Sequence, residues 1–304
     1  MSILFKKFVN IARVIIPRKL FNQIRIKRQE KENTRFLKKL TSQVLKFHKN
    51  TNDNEVIEVL NFLENNPISV FPYNYIHKYK KEEIEVELDH AIGLKYIIHE
   101  NKKLYFKRSM SVNAIKSLYR GLLIDQDIES PHLYLTEGFK LTSQDVIADI
   151  GAAEGNFSLS NVEHVKKAYL FESDSEWIEA LQATFKPWKD KVEIINSFVT
   201  NYDSDSTVNI STFYKKHNDI SFFKVDIEGE EQNFLNACVP IFKENSNIKL
   251  AICTYHKHND EVDFTKQLKS LNFKVKHSKG YMLYFYDKSI RPPYFRRGLL
   301  RASK

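Results

Sequence analysis

Residues Asp145–Ser160 read DVIADIGAAEGNFSLS and divide into three parts. Val146–Ile150 is a short apolar run interrupted by one acid, Asp149, and reads as a buried strand. Gly151-Ala-Ala-Glu-Gly155 is a turn of small residues. Its glycines permit positive φ and let backbone N–H groups approach a ligand closely. Asn156 opens a helix, whose N-terminus favours an anion such as a phosphate or an amino-acid carboxylate. Strand, turn and helix in this order place the turn beyond a strand's carboxyl end, where open α/β sheets bind their ligands.

Working outward, the rhythm continues on the C-terminal side. VIADI, KAYLFE, VEIINSF, ISFFKVDI and KLAICTY read as strands, with amphipathic helices after the first, second, fourth and fifth. Such alternation indicates right-handed crossovers and a parallel sheet. FKVKH, the turn SKG and YMLYFYD then follow with no helix between them, predicting an antiparallel hairpin that closes the sheet. The expected fold class is α/β, a Rossmann-like, mostly parallel sheet over residues 129–287 with an antiparallel end.

Upstream, residues 51–128 read as a mixed accessory or cap region. It has a short helix (EVIEVLNFLE), three strand-like runs (EIEVELD, LKYIIHE, KLYFKR) and helical periodicity from Ser111 to Asp127. Residues 1–50 read as a basic amphipathic helical arm interrupted at Pro17, and residues 288–304 as a basic C-terminal tail.

Charge separates these parts. Residues 1–50 carry 14 Lys/Arg against 2 acids, and 288–304 carry 6 Lys/Arg and no acid. The body between them has 27 Lys/Arg and 36 acids, so the overall +9 hides an acidic body with basic ends. This argues against a nucleic-acid cleft in the body and for basic arms that meet an anionic surface. The apolar stripe of the N-terminal arm is expected to pack on the body or on a second copy of the chain, a homodimer, with an anionic membrane face as the alternative. Its apolar runs are broken by charges and fall short of a signal segment or a membrane span, so the expected location is cytoplasmic, with a peripheral place at the inner membrane face as a second reading. Cys238 and Cys253 both lie in apolar runs and read as buried small side chains; no Cys/His spacing resembles a zinc site, and no metal is expected.

Two templates compete for the turn. The dinucleotide fingerprint G-x-G-x-x-G, started at Gly151, meets Ala153 and Asn156 where it needs glycines. The S-adenosylmethionine template, acid-x-G-x-G-x-G, is met by Asp149, Gly151 and Gly155, with Ala153 in place of the middle glycine. Glu172 ends the second strand in AYLFESD, where a carboxylate can accept both ribose hydroxyls in either cofactor class. The fourth strand ends FFKVDIEGEE, bringing Asp226 and Glu228 to the same sheet edge. Carboxylates there suit a sulfonium and an ammonium and would be ill placed beside a pyrophosphate. Glu230 and Glu231 read as acids complementing a helix N-terminus. The fifth strand ends CTYHKHND; alternation sends Tyr255 and His256 to different sides, and His256 is the candidate general base.

DIGAAEGNFSL, YLFESD and FFKVDIEGEE, at these intervals, resemble the FkbM-type methyltransferases, a class I S-adenosylmethionine-dependent family. The resemblance runs from about Ser130 to Asp287 and implies a seven-stranded sheet of order 3-2-1-4-5-7-6. It implies S-adenosyl-L-methionine as cofactor, its methionine part cradled by Asp149, Gly151, Ala152, Gly155 and Asn156. Glu172 would bind the ribose, Ser197 and Phe198 would lie near adenine, and Asp226 and Glu228 would face the reaction centre, with Asp226 and His256 as the catalytic pair. Ser173 stands where the family usually has proline, and the N-terminal third does not align with the family core. ESPHLYLTEGF precedes the first strand, a region that often folds over the cofactor in class I enzymes, which makes His132 and Tyr134 lid candidates. The resemblance and the basic arms together predict O-methylation of a sugar hydroxyl on a cell-envelope or secreted glycan, with a glycan or glycolipid acceptor. Alternatives are a non-catalytic scaffold in a glycan-assembly complex and an RNA methyltransferase gripping its substrate through the basic arms.

Overall fold

A computed structural model describes the backbone of residues 18–304 and the side chains from residue 26 onward. Most of the expected amphipathic stretch between residues 3 and 17 therefore lies outside the described residues. The described chain up to Ser69 forms one compact unit and Val70–Lys304 a second.

The first unit is a helix pair, α1 (Arg18–Phe47) and α2 (Asn54–Asn65). Asp53 caps α2, accepting from the N–H groups of Glu55 at 2.9 Å and Val56 at 3.3 Å. The helices pack on each other, α1 burying Leu40 and Val44 and α2 burying Val56, Val59, Phe62 and Leu63. No helix among the described residues is long and apolar enough to cross a membrane.

The second unit opens with a small antiparallel sheet, β1 (Glu87–Asp89), β2 (Leu94–His99) and β3 (Lys102–Tyr105), followed by α3 (Val112–Asp125). Then come β4 (Val146–Ile150), α4 (Asn156–Asn161), β5 (Lys167–Phe171), α5 (Ser175–Phe185) and β6 (Val192–Ile195). A two-stranded parallel pair, β7 (Phe198–Thr200) and β8 (Thr207–Asn209), leads into α6 (Ile210–Lys216). β9 (Phe222–Val225), α7 (Glu231–Glu244), β10 (Lys249–Cys253), α8 (Asp260–Ser270), β11 (Lys274–His277) and β12 (Leu299–Ser303) complete the chain.

Seven strands form the main sheet in the order β11-β12-β10-β9-β4-β5-β6, parallel except where β12 runs antiparallel to β10 and β11. Counted from β4, this is the order expected for class I methyltransferases. Both faces are buried, and strand alternation sorts the side chains between two cores. Ile147 and Phe222 join one core with residues of α3, α4 and α5, whereas Val146, Ala148, Ile150, Phe223 and Val225 join the other with residues of α6, α7 and α8.

One reading of the sequence is corrected. The closing antiparallel pair exists, but β11 pairs with Leu299–Ser303 instead of YMLYFYD, of which only Met282 makes a bridge, to Arg296. The end of the basic tail is thus the sheet's last strand, inserted between β10 and β11.

Candidate active site

The chain runs from β4 outward to β5 and β6, then returns to lay β9 on the other side of β4. The strand order therefore reverses between β4 and β9, and the loops after them splay apart into a crevice. Gly151 in the first loop has φ +79°, and a Cβ there would collide with the carbonyl oxygen of Asp226 in the second. Only glycine lets the two loops touch. Ala153 (φ +47°) and Glu228 (φ +52°) are non-glycine residues in the left-handed region, strained backbone of the kind held at functional sites.

Two cavities meet here, sharing Gly151, Ala153, Asp226 and Glu228 in their walls. The larger, about 790 Å³, is also lined by Glu172, Trp177, Ser197 and Phe198. Glu172 Oε2 accepts from Ala153 N at 2.8 Å and Oε1 from Asp174 N at 2.7 Å. A carboxylate offers about four acceptor sites, so each oxygen keeps capacity for a ribose hydroxyl. A cavity of this size is ample for a nucleoside. S-adenosylmethionine therefore fits the residues present: a glycine cradle, a carboxylate at the ribose position, and the Phe198 ring 60% exposed at the cavity wall.

The smaller cavity, about 220 Å³, is centred on Asp226. Tyr134 donates its hydroxyl to Oδ2 at 2.9 Å and Tyr255 to Oδ1 at 3.2 Å. His132 Nε2 lies 3.6 Å from Oδ2 and His256 Nε2 3.7 Å from Oδ1. Burial pushes Asp226 up, but His132, Lys224 and His256 outweigh it and hold the carboxyl at about 2. Burial holds His132 down at about 4, so it is neutral near pH 7.

His256 is set differently. Its Nδ1 is 2.9 Å from Oε1 of Glu231, an oblique contact with a carboxylate that is fully buried. The same oxygen accepts from Ile227 N at 3.0 Å, which fixes the carboxylate. A carboxylate beside Nδ1 favours a proton there, and in that tautomer Nε2 presents a lone pair to the cavity. Burial lowers the His256 pKa, but Glu231 and then Asp226 outweigh it, and the net direction is up. Arg296 holds the segment by donating to the carbonyls of Tyr255 at 2.7 Å and His256 at 2.8 Å.

Asp149 reaches neither cavity. It is fully buried, accepts from Ser158 Oγ at 2.7 Å, and sits 3.1 Å from Lys224 Nζ, its register partner on β9. Lys224 also donates to Gly151 O at 2.6 Å, so this ion pair ties both strands to the loop. Burial works against the Lys224 charge, but Asp149 and Asp226 outweigh it and raise its pKa. Gly155 caps α4 at φ +82°, and a Cβ there would meet Leu181 and Phe185, a packing role. Ala152 and Asn156 line the smaller cavity and Glu228 lines both; Ser197 and Phe198 line the larger.

Three expectations change in detail. Tyr255 and His256 both line the smaller cavity, because β10 ends at Cys253 and strand alternation no longer applies. His132 and Tyr134 are buried in the cavity wall and hydrogen-bonded, not poised above it as a lid. Glu231 is no solvated helix-end acid. It shares its helical phase with Phe234, Leu235 and Cys238, all buried, and that periodicity is the signal that marks it. Donor atoms of His132, Asp226 and Cys253, and of Asp226, Glu231 and His256, cluster within 4.8 Å and could hold a cation, though the contacts above already engage them.

The chain is similar to several solved structures, three of which follow. An FkbM methyltransferase from Methylobacillus flagellatus KT is 16% identical over 85% of this chain and 57% of its own, with a TM-score of 0.44. Precorrin-6y C5,15-methyltransferase from Geobacter metallireducens GS-15 is 10% identical over 54% and 80%, with a TM-score of 0.38. A Streptococcus mutans protein solved in complex with SAH is 17% identical over 53% and 89%, with a TM-score of 0.34. The chain spans little more than half the length of the Methylobacillus structure. No curated protein matches it in sequence. The methyltransferase FkbM domain model matches residues 42–281, most of the chain and both loops that form the crevice, and the protein belongs to that family.

Proposed function

We propose that this S-adenosylmethionine-dependent methyltransferase acts on oxygen, methylating a sugar hydroxyl of a cell-envelope or secreted glycan. The observation that carries this reading is the Glu231–His256 contact beside Asp226, in a cavity adjoining the one that fits the donor's nucleoside. S-adenosylmethionine supplies a methyl group on positively charged sulfur, and the electron pair of the broken bond stays on sulfur. The chain's task is to align an acceptor oxygen with that methyl group and to take its proton. His256 Nε2 accepts the hydroxyl proton as the oxygen–carbon bond forms, and Glu231 stabilises the resulting imidazolium. Asp226, held ionised, favours that positive charge from the other side. No nucleophilic side chain is needed, because the acceptor attacks directly.

The glycan assignment draws on the basic N-terminal stretch of the sequence, which suits a polyanionic envelope surface, and on the acidic body, which disfavours nucleic acid. The test is incubation with methyl-labelled S-adenosylmethionine and, separately, envelope glycolipid, capsular polysaccharide and total RNA. Label in an alkali-stable ether on sugar is expected. Label in RNA, or none in any fraction from protein that binds S-adenosylhomocysteine, would reject this acceptor.

A further inference from the structure

Four carboxylates line the smaller cavity: Asp125 at the end of α3, Glu154 in the loop after β4, Asp226 and Glu228. Asp226 has two tyrosine hydroxyls and two histidines around it. Asp149, just behind, has Lys224. Glu154 has nothing comparable. It is only 5% exposed, and among the described residues its hydrogen bond comes from its own amide, with the Lys224 charge a lesser influence that does not offset burial. Asp125, half-buried on the same wall, receives no side-chain hydrogen bond among the described residues. Burial pushes Glu154 up to about 7, and burial together with Asp226 and Glu154 pushes Asp125 well above the carboxylate range. Two carboxylates with no ion pair or side-chain hydrogen bond among the described residues, converging on a ligand cavity, are unfavourable as anions until a cation joins them. Neither belongs to a cluster of three donors within metal-ligating reach among the described residues, which favours an organic cation.

We propose that Asp125 and Glu154 form a seat for an ammonium group. The assignment rests on S-adenosylmethionine being the donor, whose methionine half carries such a group. A cavity of about 220 Å³ beside the nucleoside-sized one suits that half. It also replaces the role expected of Asp149, whose charge is already taken up by Lys224 and Ser158. An amine on the acceptor has the same chemistry, and the test separates the two sources.

The experiment is calorimetric titration of the full chain and of Glu154→Gln and Asp125→Asn. The ligands are S-adenosylhomocysteine, then 5′-methylthioadenosine, which keeps the nucleoside and thioether but lacks the amino acid, then glucosamine added to the S-adenosylhomocysteine complex. Loss of a hydrogen bond to a charged group predicts roughly ten- to hundredfold weaker S-adenosylhomocysteine binding in Glu154→Gln. Methylthioadenosine affinity should be unchanged, which also shows that the variant is folded. Unchanged S-adenosylhomocysteine affinity with loss of a glucosamine signal seen in the parent assigns the seat to the acceptor amine. Variants that match the parent with all three ligands overturn the proposal and leave the donor reading intact. A parent chain that binds neither adenosyl compound overturns the donor reading and the proposal with it.

Discussion

His256 Nδ1 lies 2.9 Å from the fully buried Oε1 side of Glu231, and its Nε2 lies 3.7 Å from Asp226. This arrangement favours the Nδ1–H tautomer and, with the neighbouring Asp226, the charged form of the imidazole. A base must be neutral to accept a proton, so turnover is lost as pH falls through the His256 pKa. Glu231 raises that pKa by favouring the imidazolium. Glu231→Gln should therefore move the acidic limb of the kcat profile to lower pH while lowering its plateau. His256→Asn should lower kcat by roughly 10²- to 10⁴-fold with S-adenosylhomocysteine affinity unchanged. An acidic limb that stays put in Glu231→Gln would show that Glu231 supports packing only.

Glu172 makes the opposite prediction, on binding instead of turnover. Its two oxygens each hold a backbone N–H of the cofactor crevice and line the larger cavity. Glu172→Gln keeps the shape but turns one acceptor into a donor facing those N–H groups. S-adenosylhomocysteine affinity should fall about ten- to hundredfold, the range for a lost charged hydrogen bond. Adenosine, which carries the same ribose, should weaken by a similar factor in titration. A loss confined to S-adenosylhomocysteine would place the carboxylate at the amino-acid end instead.

Much of this site was legible because strand ends are local features. Asp149, Glu172 and Asp226 each follow a short apolar run, and the parallel sheet brings all three ends to one edge. Which way an acid faces was less legible. Asp149 points into the sheet's interior because its register partner is Lys224, a pairing set by two strands 75 residues apart in Ser221 and Val146 and invisible to local pattern. The strand Leu299–Ser303 escaped for the same reason: it is a short run after a basic stretch, and its pairing with β10 is long-range. Glu231 was hidden by its position. An acid in the first turn of a helix ordinarily complements the dipole, and only its phase with Phe234 and Cys238 shows that it faces inward.

The two glycines of the turn should behave differently when changed to alanine. At Gly151 the added Cβ runs into the backbone carbonyl of Asp226, so the two loops must separate. At Gly155 it meets the side-chain ends of Leu181 and Phe185, which can shift, leaving mainly the strain of φ +82°. Gly155→Ala should cost about 1–3 kcal/mol in denaturant unfolding and leave S-adenosylhomocysteine affinity near that of the parent. Gly151→Ala should abolish that affinity. Equal loss of affinity in both variants would mean that Gly155 also contacts the ligand.

The buried pair Asp149–Lys224 carries the last prediction. Asp149 is wholly shielded from solvent and Lys224 nearly so, and the lysine bridges β9 to the Gly151 carbonyl. Lys224→Met removes the cation but leaves the carboxylate, an uncompensated buried charge that should cost about 3–5 kcal/mol. Asp149→Asn leaves the ammonium near Asp226 as well as Gly151 O, so its cost should be smaller. The double variant, with neither charge, should be more stable than Lys224→Met alone, since a neutral pair of similar volume avoids the desolvation of two ions. Urea unfolding of the three variants at pH 7 measures the coupling directly. If the two single changes simply add, the strands are held by packing alone and the ion pair is incidental. If the double change recovers stability but not S-adenosylhomocysteine binding, the pair's function is to hold the Gly151 loop in its binding shape.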